Sequence, residues 1–531
     1  MQQTFLKKIR VVLSLLFLVL TVFIFIDFAQ FLSAKLIHAV LFFQFIPSLL
    51  DFIHLFTLTA SGFIFILMLT LFFGRVYCST ICPLGTLQDI FIRFRRFRKR
   101  KVFCYQKSLR IIQYSILAVI LIAFLFNNIF FLNLLDPFSL AGKIFTNFFR
   151  PVYYGINNVA ASILASFDIY RLYPVTVYRL SIPAVIFTGL FLVTIVLLSL
   201  YRGRWFCNAI CPVGATLGIL SKISFFKIRI DEKNCTSCGL CIAVCKAGCI
   251  DYKKQKIDFS RCVTCFDCFK ACPEKGIGYT SSYLELVNQP EFFFKPQRRR
   301  DAGGEVPRRV FLKTTLIGLA GGIPLIGASK KEVVNNEHPR TTSESPVTPP
   351  GSVSIWHYTE KCTACHLCVS VCPTKVLQPA FLEFGLTGLF QPRMDFHTNF
   401  CNFECTLCSE ICPAGAILPV TKDQKKTIQI GVSKFIKNIC IVVEKHTVCG
   451  ACSEHCPTKA VEMVPYLDNL KIPKVDEKIC VGCGACEYAC PTKPEKAIYV
   501  ESNLYHHKAM KPLKKVEGQI KVSKPEEDFP F

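Results

Sequence analysis

Six runs of four cysteines set the terms for this chain, because so many thiols at such short intervals need something to hold. Two runs stand mid-chain: Cys235, Cys238, Cys241, Cys245 and Cys262, Cys265, Cys268, Cys272. Four follow later: Cys362, Cys365, Cys368, Cys372; Cys401, Cys405, Cys408, Cys412; Cys440, Cys449, Cys452, Cys456; and Cys480, Cys483, Cys486, Cys490. In a C-x2-C-x2-C loop three thiolates aim inward, and a distant fourth completes the corners of an iron–sulfur cube. In two-cluster ferredoxins the fourth cysteine of each run serves the other cluster. The spacing therefore predicts six [4Fe–4S] clusters. In the middle pair it predicts one on Cys235, Cys238, Cys241 and Cys272 and one on Cys262, Cys265, Cys268 and Cys245. In the later set each last cysteine precedes proline. The run from Cys401 carries an extra residue in its first gap. The run from Cys440 has a long first gap, which makes Cys440 its weakest ligand. These four runs can pair as neighbours or nest, first with fourth, and spacing does not choose. Structural zinc prefers two C-x2-C pairs to triplets, and disulfide scaffolds are short chains without membrane spans. Cys362 to His366 also satisfies the C-x-x-C-H of c-type haem, but Cys368 and Cys372-Pro373 complete a ferredoxin run around it. His366 then reads as a surface residue, and Cys104 and Cys249 as plain thiols.

The rest of the 531 residues is strongly apolar, with mean hydropathy +0.40. Runs at Val11–Leu32, Leu55–Phe73, Ile111–Phe131 and Ile182–Tyr201 each approach the ~20 residues a spanning helix needs. Leu36–Leu50, with Pro47, reads as re-entrant or interfacial. Lys7, Lys8 and Arg10 precede the first run. Ten more basic residues between Arg75 and Arg110 follow the second, whereas the loops after the first and third are poor in them. The positive-inside rule then puts the N-terminus and the segment after the fourth span in the cytoplasm. The net charge of +25 belongs to this topology, and six cluster dianions would lower it to about +13. Nucleic-acid binding is not indicated.

Gly74-Arg75-Val76-Tyr77-Cys78-Ser79-Thr80-Ile81-Cys82-Pro83-Leu84-Gly85 recurs as Gly203-Arg204-Trp205-Phe206-Cys207-Asn208-Ala209-Ile210-Cys211-Pro212-Val213-Gly214, offset by 129 residues throughout. Such a repeat predicts two helix pairs related by a pseudo-twofold axis along the membrane normal. Cys78, Cys82, Cys207 and Cys211 would then meet, as an additional metal centre, a redox dithiol or a buried group. Asp136-Pro137, after the third span, can exchange a proton or cap a helix.

Further on, Arg308-Arg309-Val310-Phe311-Leu312-Lys313 precedes a modest apolar run, Thr314–Ser329. It is similar to a twin-arginine signal, which exports proteins already folded around their clusters. Its poor cleavage site predicts a retained anchor. The expected organisation is a four-span membrane domain (1–220), a cytoplasmic two-cluster ferredoxin (221–285) and a linker (286–306). A signal anchor (307–330), a second linker (331–355), a periplasmic four-cluster ferredoxin (356–500) and a charged tail (501–531) complete it. The fold class is multi-domain: an α-helical membrane bundle of four main spans plus the anchor helix, with α+β bacterial-type ferredoxin modules on both sides.

The first three hundred residues, with their four spans, two C-x3-C-P repeats and two-cluster module, resemble the NapH/MauN-type membrane ferredoxins. The remainder resembles the NapG/MauM-type periplasmic ferredoxins, with a twin-arginine signal and four clusters. The departure is that both stand here in one polypeptide. The resemblance implies a multi-pass inner-membrane protein that takes electrons from the quinone pool and passes them to a periplasmic reductase or cytochrome. The alternative is an assembly factor delivering electrons for metal or cofactor reduction in another enzyme. A subunit that only anchors a larger complex is a third reading.

Overall fold

The computed structural model describes residues 2–27, 31–54, 61–97, 103–175, 181–231, 234–281, 345–467 and 469–510. They belong to one compact unit. The twin-arginine motif and anchor expected at 307–330 lie outside the described residues.

Helix α1 (Gln2–Ile26) is apolar nearly throughout and ends where Asp27 interrupts the run. Its carboxylate turns back to accept the Leu32 amide at 2.9 Å. The expected span Val11–Leu32 thus starts and stops earlier. Helices α2 (Ala34–Phe42) and α3 (Phe45–His54) meet at 102°, a bend suited to a re-entrant segment. Next come α4 (Gly62–Phe73), α5 (Tyr77–Thr80), α6 (Pro83–Phe97), α7 (Arg110–Leu125), α8 (Phe130–Leu135) and α9 (Pro137–Ile144). A π-helical turn, Phe145–Phe149, runs into α10 (Arg150–Ala165), followed by α11 (Ile182–Arg202), α12 (Trp205–Ala209) and α13 (Pro212–Ser221). Among the described residues α1 and α11 are long and apolar enough to cross a membrane, and α2–α3 counts as a third if taken as one span. Helices α4 and α7 are apolar but shorter, at 12 and 16 residues. Helix α7 stops at Leu125 rather than Phe131 because Asn127 adopts a left-handed φ of 56°, a conformation asparagine tolerates and helices do not. Val12, Val19, Ile111, Val152 and Ile186 stand exposed along these helices, a surface for lipid. The chain is a membrane protein.

The two sequence repeats fold alike, as α4–α5–α6 and α11–α12–α13. Gly74 and Gly203 end α4 and α11 with φ of 76° and 66°. A Cβ at Gly203 would lie 2.2 Å from the Lys246 carbonyl, and one at Gly74 would lie 2.7 Å from the Phe259 ring. Each glycine therefore seats part of the first ferredoxin module. The next residue of each motif crosses to the other repeat. Arg75 donates to the Cys207 carbonyl at 3.2 Å, and Arg204 donates to the Cys78 carbonyl. Both arginines are 0 % exposed. This reciprocal strapping is the contact a pseudo-twofold demands.

The first module pairs β1 (Phe226–Ile230) antiparallel with β4 (Ile277–Ser281), around the hairpin β2 (Ile250–Asp251) and β3 (Lys256–Ile257). Two one-turn helices, Leu240–Val244 and Asp267–Ala271, carry Cys241 and Cys268. The second module contains the antiparallel pairs β5 (Leu377–Pro379) with β6 (Pro392–Met394), and β8 (Val461–Pro465) with β9 (Lys471–Val475). Strand β7 (Ile428–Phe435) pairs with β10 (Ile498–Lys508). Packing extends past 356–500 at both ends, since the Thr348 hydroxyl lies 2.9 Å from His506 Nε2 and Val347 is buried.

Helix α1, roughly 35 Å long at 1.5 Å per residue, touches both modules. Near its start Lys7 pairs with Asp267 of the first at 2.7 Å. At its far end Phe25 packs on Phe138 and Phe145, beside Gly142. A Cβ on Gly142 would fall 2.3 Å from the Cys365 carbonyl of the second module. Arg150 and Asn133 fasten the same module through the Val369 and Leu389 carbonyls.

Asp89 on α6 ties the membrane helices to the first module. Its carboxylate meets Arg204 at 2.8 Å, Lys246 at 2.9 Å and Arg10 at 3.2 Å. Asp89→Asn leaves these buried cations short of countercharge, which typically costs about 3–5 kcal/mol. The expected result is a melting temperature in detergent lower by roughly 3–5 °C, read by tryptophan fluorescence during heating.

Candidate metal centres

The structure brings the cysteines of the runs near one another in six sets of four, none of them, among the described residues, tight enough to grip a single metal ion. In the first module Cys235, Cys238, Cys241 and Cys272 line one cavity. Cys245 joins Cys262, Cys265 and Cys268, close enough for their charges to interact. Both groups follow the exchange expected from sequence. In the second module Cys412 stands with Cys362, Cys365 and Cys368, while Cys372 lines a cavity with Cys401, Cys405 and Cys408. Cys490 lines another with Cys440, Cys449 and Cys452, and Cys456 stands with Cys480, Cys483 and Cys486. Runs therefore group as neighbours, first with second and third with fourth. Cys440 belongs with the rest despite its long gap, because a short 3-10 turn, Lys437–Ile439, brings it back beside the loop. None of the thirty cysteines forms a disulfide.

The backbone explains how these loops wrap a common centre. In each of the four regular runs the residues flanking the second cysteine take positive φ: Ser237 and Gly239, Thr264 and Phe266, Ala364 and His366, Gly482 and Gly484. Five of these positions are neither glycine nor asparagine, residue types for which the left-handed region is uncommon. Strain of this kind persists where the surroundings fix it and gathers at functional sites. Here it curls the peptide around the sulfurs, so that backbone N–H groups such as Ala364 N reach them, 3.4 Å from Cys362 Sγ. Beyond the fourth cysteine the residue three positions on turns the same way in five of the six runs: Gly248, Lys275, Lys375, Gly415 and Lys459. The two irregular runs lack the paired turns. In one, Lys425 donates to the Asn402 and Cys405 carbonyls and steadies the longer loop.

Burial pushes the thiols of Cys365, Cys452 and Cys483 up to about 12, and those of Cys268, Cys368 and Cys408 well above the ordinary range. Such thiols stay protonated by themselves. A metal that displaces the protons supplies the missing compensation and converts its binding energy into folding energy. The donor set, all sulfur and four to a group, fits an iron–sulfur cube; its chemistry would be one-electron transfer.

Two residues stand elsewhere than the sequence suggests, and a third, Asp136, takes one of its two expected roles. His366 is not at the surface: it is 1 % exposed, with Nε2 3.0 Å from the Phe390 carbonyl, and burial keeps its imidazole neutral, at about 3. The left-handed turn at this position aims the ring inward. Cys249 is a fifth thiol on the second group, buried with Sγ 3.7 Å from Cys245 Sγ. Its hydrogen bond brings Cys245 down to about 7. No spacing rule marks it, because the contact runs through the turn after Cys245. Asp136 caps α9, accepting from Ser139 N at 2.8 Å and Ser139 Oγ at 2.6 Å.

The C-x3-C-P pairs meet as the pseudo-twofold requires. Cys78, Cys82, Cys207 and Cys211 are all buried, and the charges of any one would act on the others. Gly85 and Gly214 leave room for the straps: a Cβ there would lie 2.4 Å from the Cys78 carbonyl and 2.1 Å from that of Cys207. Cys207 Sγ donates to Gln88 Oε1 at 3.4 Å, and Arg75 Nη2 lies 3.8 Å from Cys78 Sγ.

Comparison with known families agrees with this inventory. A 4Fe-4S binding domain profile matches residues 55–101 and again 184–231, which are the two repeats. A second profile of that description matches 355–378, and a 4Fe-4S dicluster domain matches 447–493. The methylamine utilization ferredoxin-type protein MauM of Methylophilus methylotrophus is 30% identical over 195 residues, covering 35% of this chain and 79% of the relative. MauN of Methylobacillus flagellatus is 23% identical, covering 36% and 52%. The putative electron transport protein YccM of Escherichia coli is 25% identical, covering 34% and 43%. No solved structure matches the chain. With this motif set and these relatives, the chain is an iron–sulfur electron-transfer protein and belongs to the MauM-type ferredoxin family.

Proposed function

We propose that the protein is an electron conduit that takes electrons from the quinol pool of the inner membrane and delivers them to a periplasmic reductase or cytochrome. Six [4Fe–4S] clusters sit on the six cysteine groups, two in a cytoplasmic module and four in a periplasmic one. The observation that carries this reading is the placement of cysteine groups at opposite ends of α1. One-electron carriers at both ends of a membrane helix have a use if electrons travel between them. A further centre on the Cys78, Cys82, Cys207 and Cys211 quartet would add a step to the relay. The charge pattern of the loops supports the orientation, and the twin-arginine motif supports export of a module already folded.

Two measurements test it. Anaerobically purified protein should hold about 24 iron atoms per chain, and menaquinol should bleach its visible absorption; intact clusters that menaquinol leaves oxidised would sink the quinol reading. The neighbour exchange is tested by Cys368→Ser and Cys412→Ser. Each should lower iron by about four atoms, and the double variant should lose no more than either alone. A loss of about eight would mean that the two serve different clusters.

A further inference from the structure

A small open cleft lies where the π-helical turn and α10 meet the second ferredoxin module. One wall carries Asn147, Arg150, Pro151 and Tyr154 from the membrane domain; the facing wall carries Val369, Lys375 and Leu377. Two cations therefore look into one apolar slot. Arg150 is 6 % exposed and Lys375 7 %. Arg150 donates Nε to the Tyr154 hydroxyl at 2.7 Å and Nη1 to the Val369 carbonyl at 3.2 Å, while its buried Nη2 has no hydrogen-bond partner. Lys375 has a single carbonyl acceptor, that of Ser370, at 3.3 Å. Among the described residues neither cation forms a salt bridge, although the Asp27 carboxylate is near enough to act on Lys375. Leaving buried donors of this kind unmet costs free energy, so the slot calls for a ligand rich in acceptor oxygens.

The walls narrow the choice. Pro151, Tyr154, Val369 and Leu377 present apolar faces that suit an aromatic ring and not a bare phosphate. Beside the mouth, Val152, Ile156, Val159 and Ile163 form an exposed apolar stripe along α10, a path for a lipid tail. The facing wall is also the first run of the second module. Val369 follows Cys368, which stands with Cys362, Cys365 and Cys412; Lys375 follows Cys372, which stands with Cys401, Cys405 and Cys408. Two cysteine groups, each of which would hold a one-electron acceptor, thus adjoin residues that line the slot, which matches a donor that gives up two electrons. π-Helical turns, moreover, occur frequently at functional sites.

We propose that this cavity is the headgroup site for a tailed quinol, with Arg150 and Lys375 donating to its oxygens. The proposal rests on the conduit reading and locates its entry point. A quinol oxidised there breaks two O–H bonds and becomes the quinone. With clusters bound, its two electrons would reduce two oxidised iron–sulfur centres by one each, and its two protons would leave to water at the mouth. The buried cations favour the anionic forms through which a quinol passes, because they supply the countercharge the slot otherwise lacks.

The test uses the full chain with its clusters, in detergent, and a quinol-site probe, 2-heptyl-4-hydroxyquinoline N-oxide, whose fluorescence falls on binding. Wild type should quench it, and Arg150→Met and Lys375→Met should each weaken binding at least tenfold while keeping wild-type iron and full reduction by dithionite. If Arg150→Met fails to hold iron, Gln378→Leu on the same rim serves in its place, with a smaller loss expected. Unchanged probe binding in variants that keep their iron overturns the site. So does an anionic phospholipid that co-purifies with wild type but not with Arg150→Met while probe binding is equal. Menaquinol reduction of wild-type clusters separates the two ideas: if it succeeds and the variants bind normally, only this location falls; if it fails outright, the conduit falls as well.

Discussion

Two guanidinium groups sealed from water govern the membrane half of this protein. Arg75 and Arg204 are fully buried, and a buried charge is tolerated only where acceptors surround it. Each finds them in the other repeat. The straps to the Cys207 and Cys78 carbonyls bring the repeats into register, and the same register brings the four cysteines of the C-x3-C-P motifs together. The motif then reads residue by residue. Its first glycine ends a helix in a left-handed turn and admits the first ferredoxin module, the arginine straps, and the cysteine-proline starts the next helix. Its last glycine makes way for the strap.

The pseudo-symmetry is broken where the first module docks. Asp89 corresponds to Gly218 in the second repeat. Asp89 gathers Arg204, Lys246 and Arg10, whereas a Cβ at Gly218 would press within 2.8 Å of the Ser260 carbonyl. One site offers charge and the other offers space. Both face the module, Lys246 following one of its cysteine runs and Ser260 preceding the other. A two-run ferredoxin, itself built of two similar halves, thus sits on two similar membrane repeats, with Gly203 against the first run and Gly74 against the second.

Much of this was legible in the sequence because thiol chemistry leaves a strict spacing. The cysteine runs, the exchange within the first module and the meeting of Cys78, Cys82, Cys207 and Cys211 all follow from intervals along the chain. The pairing of the later runs was not legible, since neighbouring and nested arrangements use the same intervals and differ only in tertiary packing. Helix ends were legible only roughly: hydropathy runs through Phe131, but Asn127 turns the chain first. His366 misled because a polar residue between ligands looks solvent-facing, while the left-handed backbone at its position turns it inward. Asp136 kept both its readings until its cap to Ser139 was visible. The Arg150–Lys375 slot joins residues more than two hundred positions apart, and no periodicity connects them.

The second module meets the membrane helices through the same run of cysteines that lines the slot, and this coupling has a mechanical side. Arg150 holds the Val369 carbonyl, and Gly142 lets α9 approach Cys365 closely. The loop Cys362–Cys372 therefore has its shape fixed from two directions, by its own left-handed turns and by the membrane helices against it. Loops of buried, protonated thiols lack compensation until metal arrives, so filling this run and seating the module are linked equilibria. Whatever stabilises the filled loop also favours the docked module. The slot exists only in that docked arrangement, because one wall belongs to each partner. Occupancy of the cysteine groups nearest the membrane and formation of the cavity beside them are thus two faces of a single packing event.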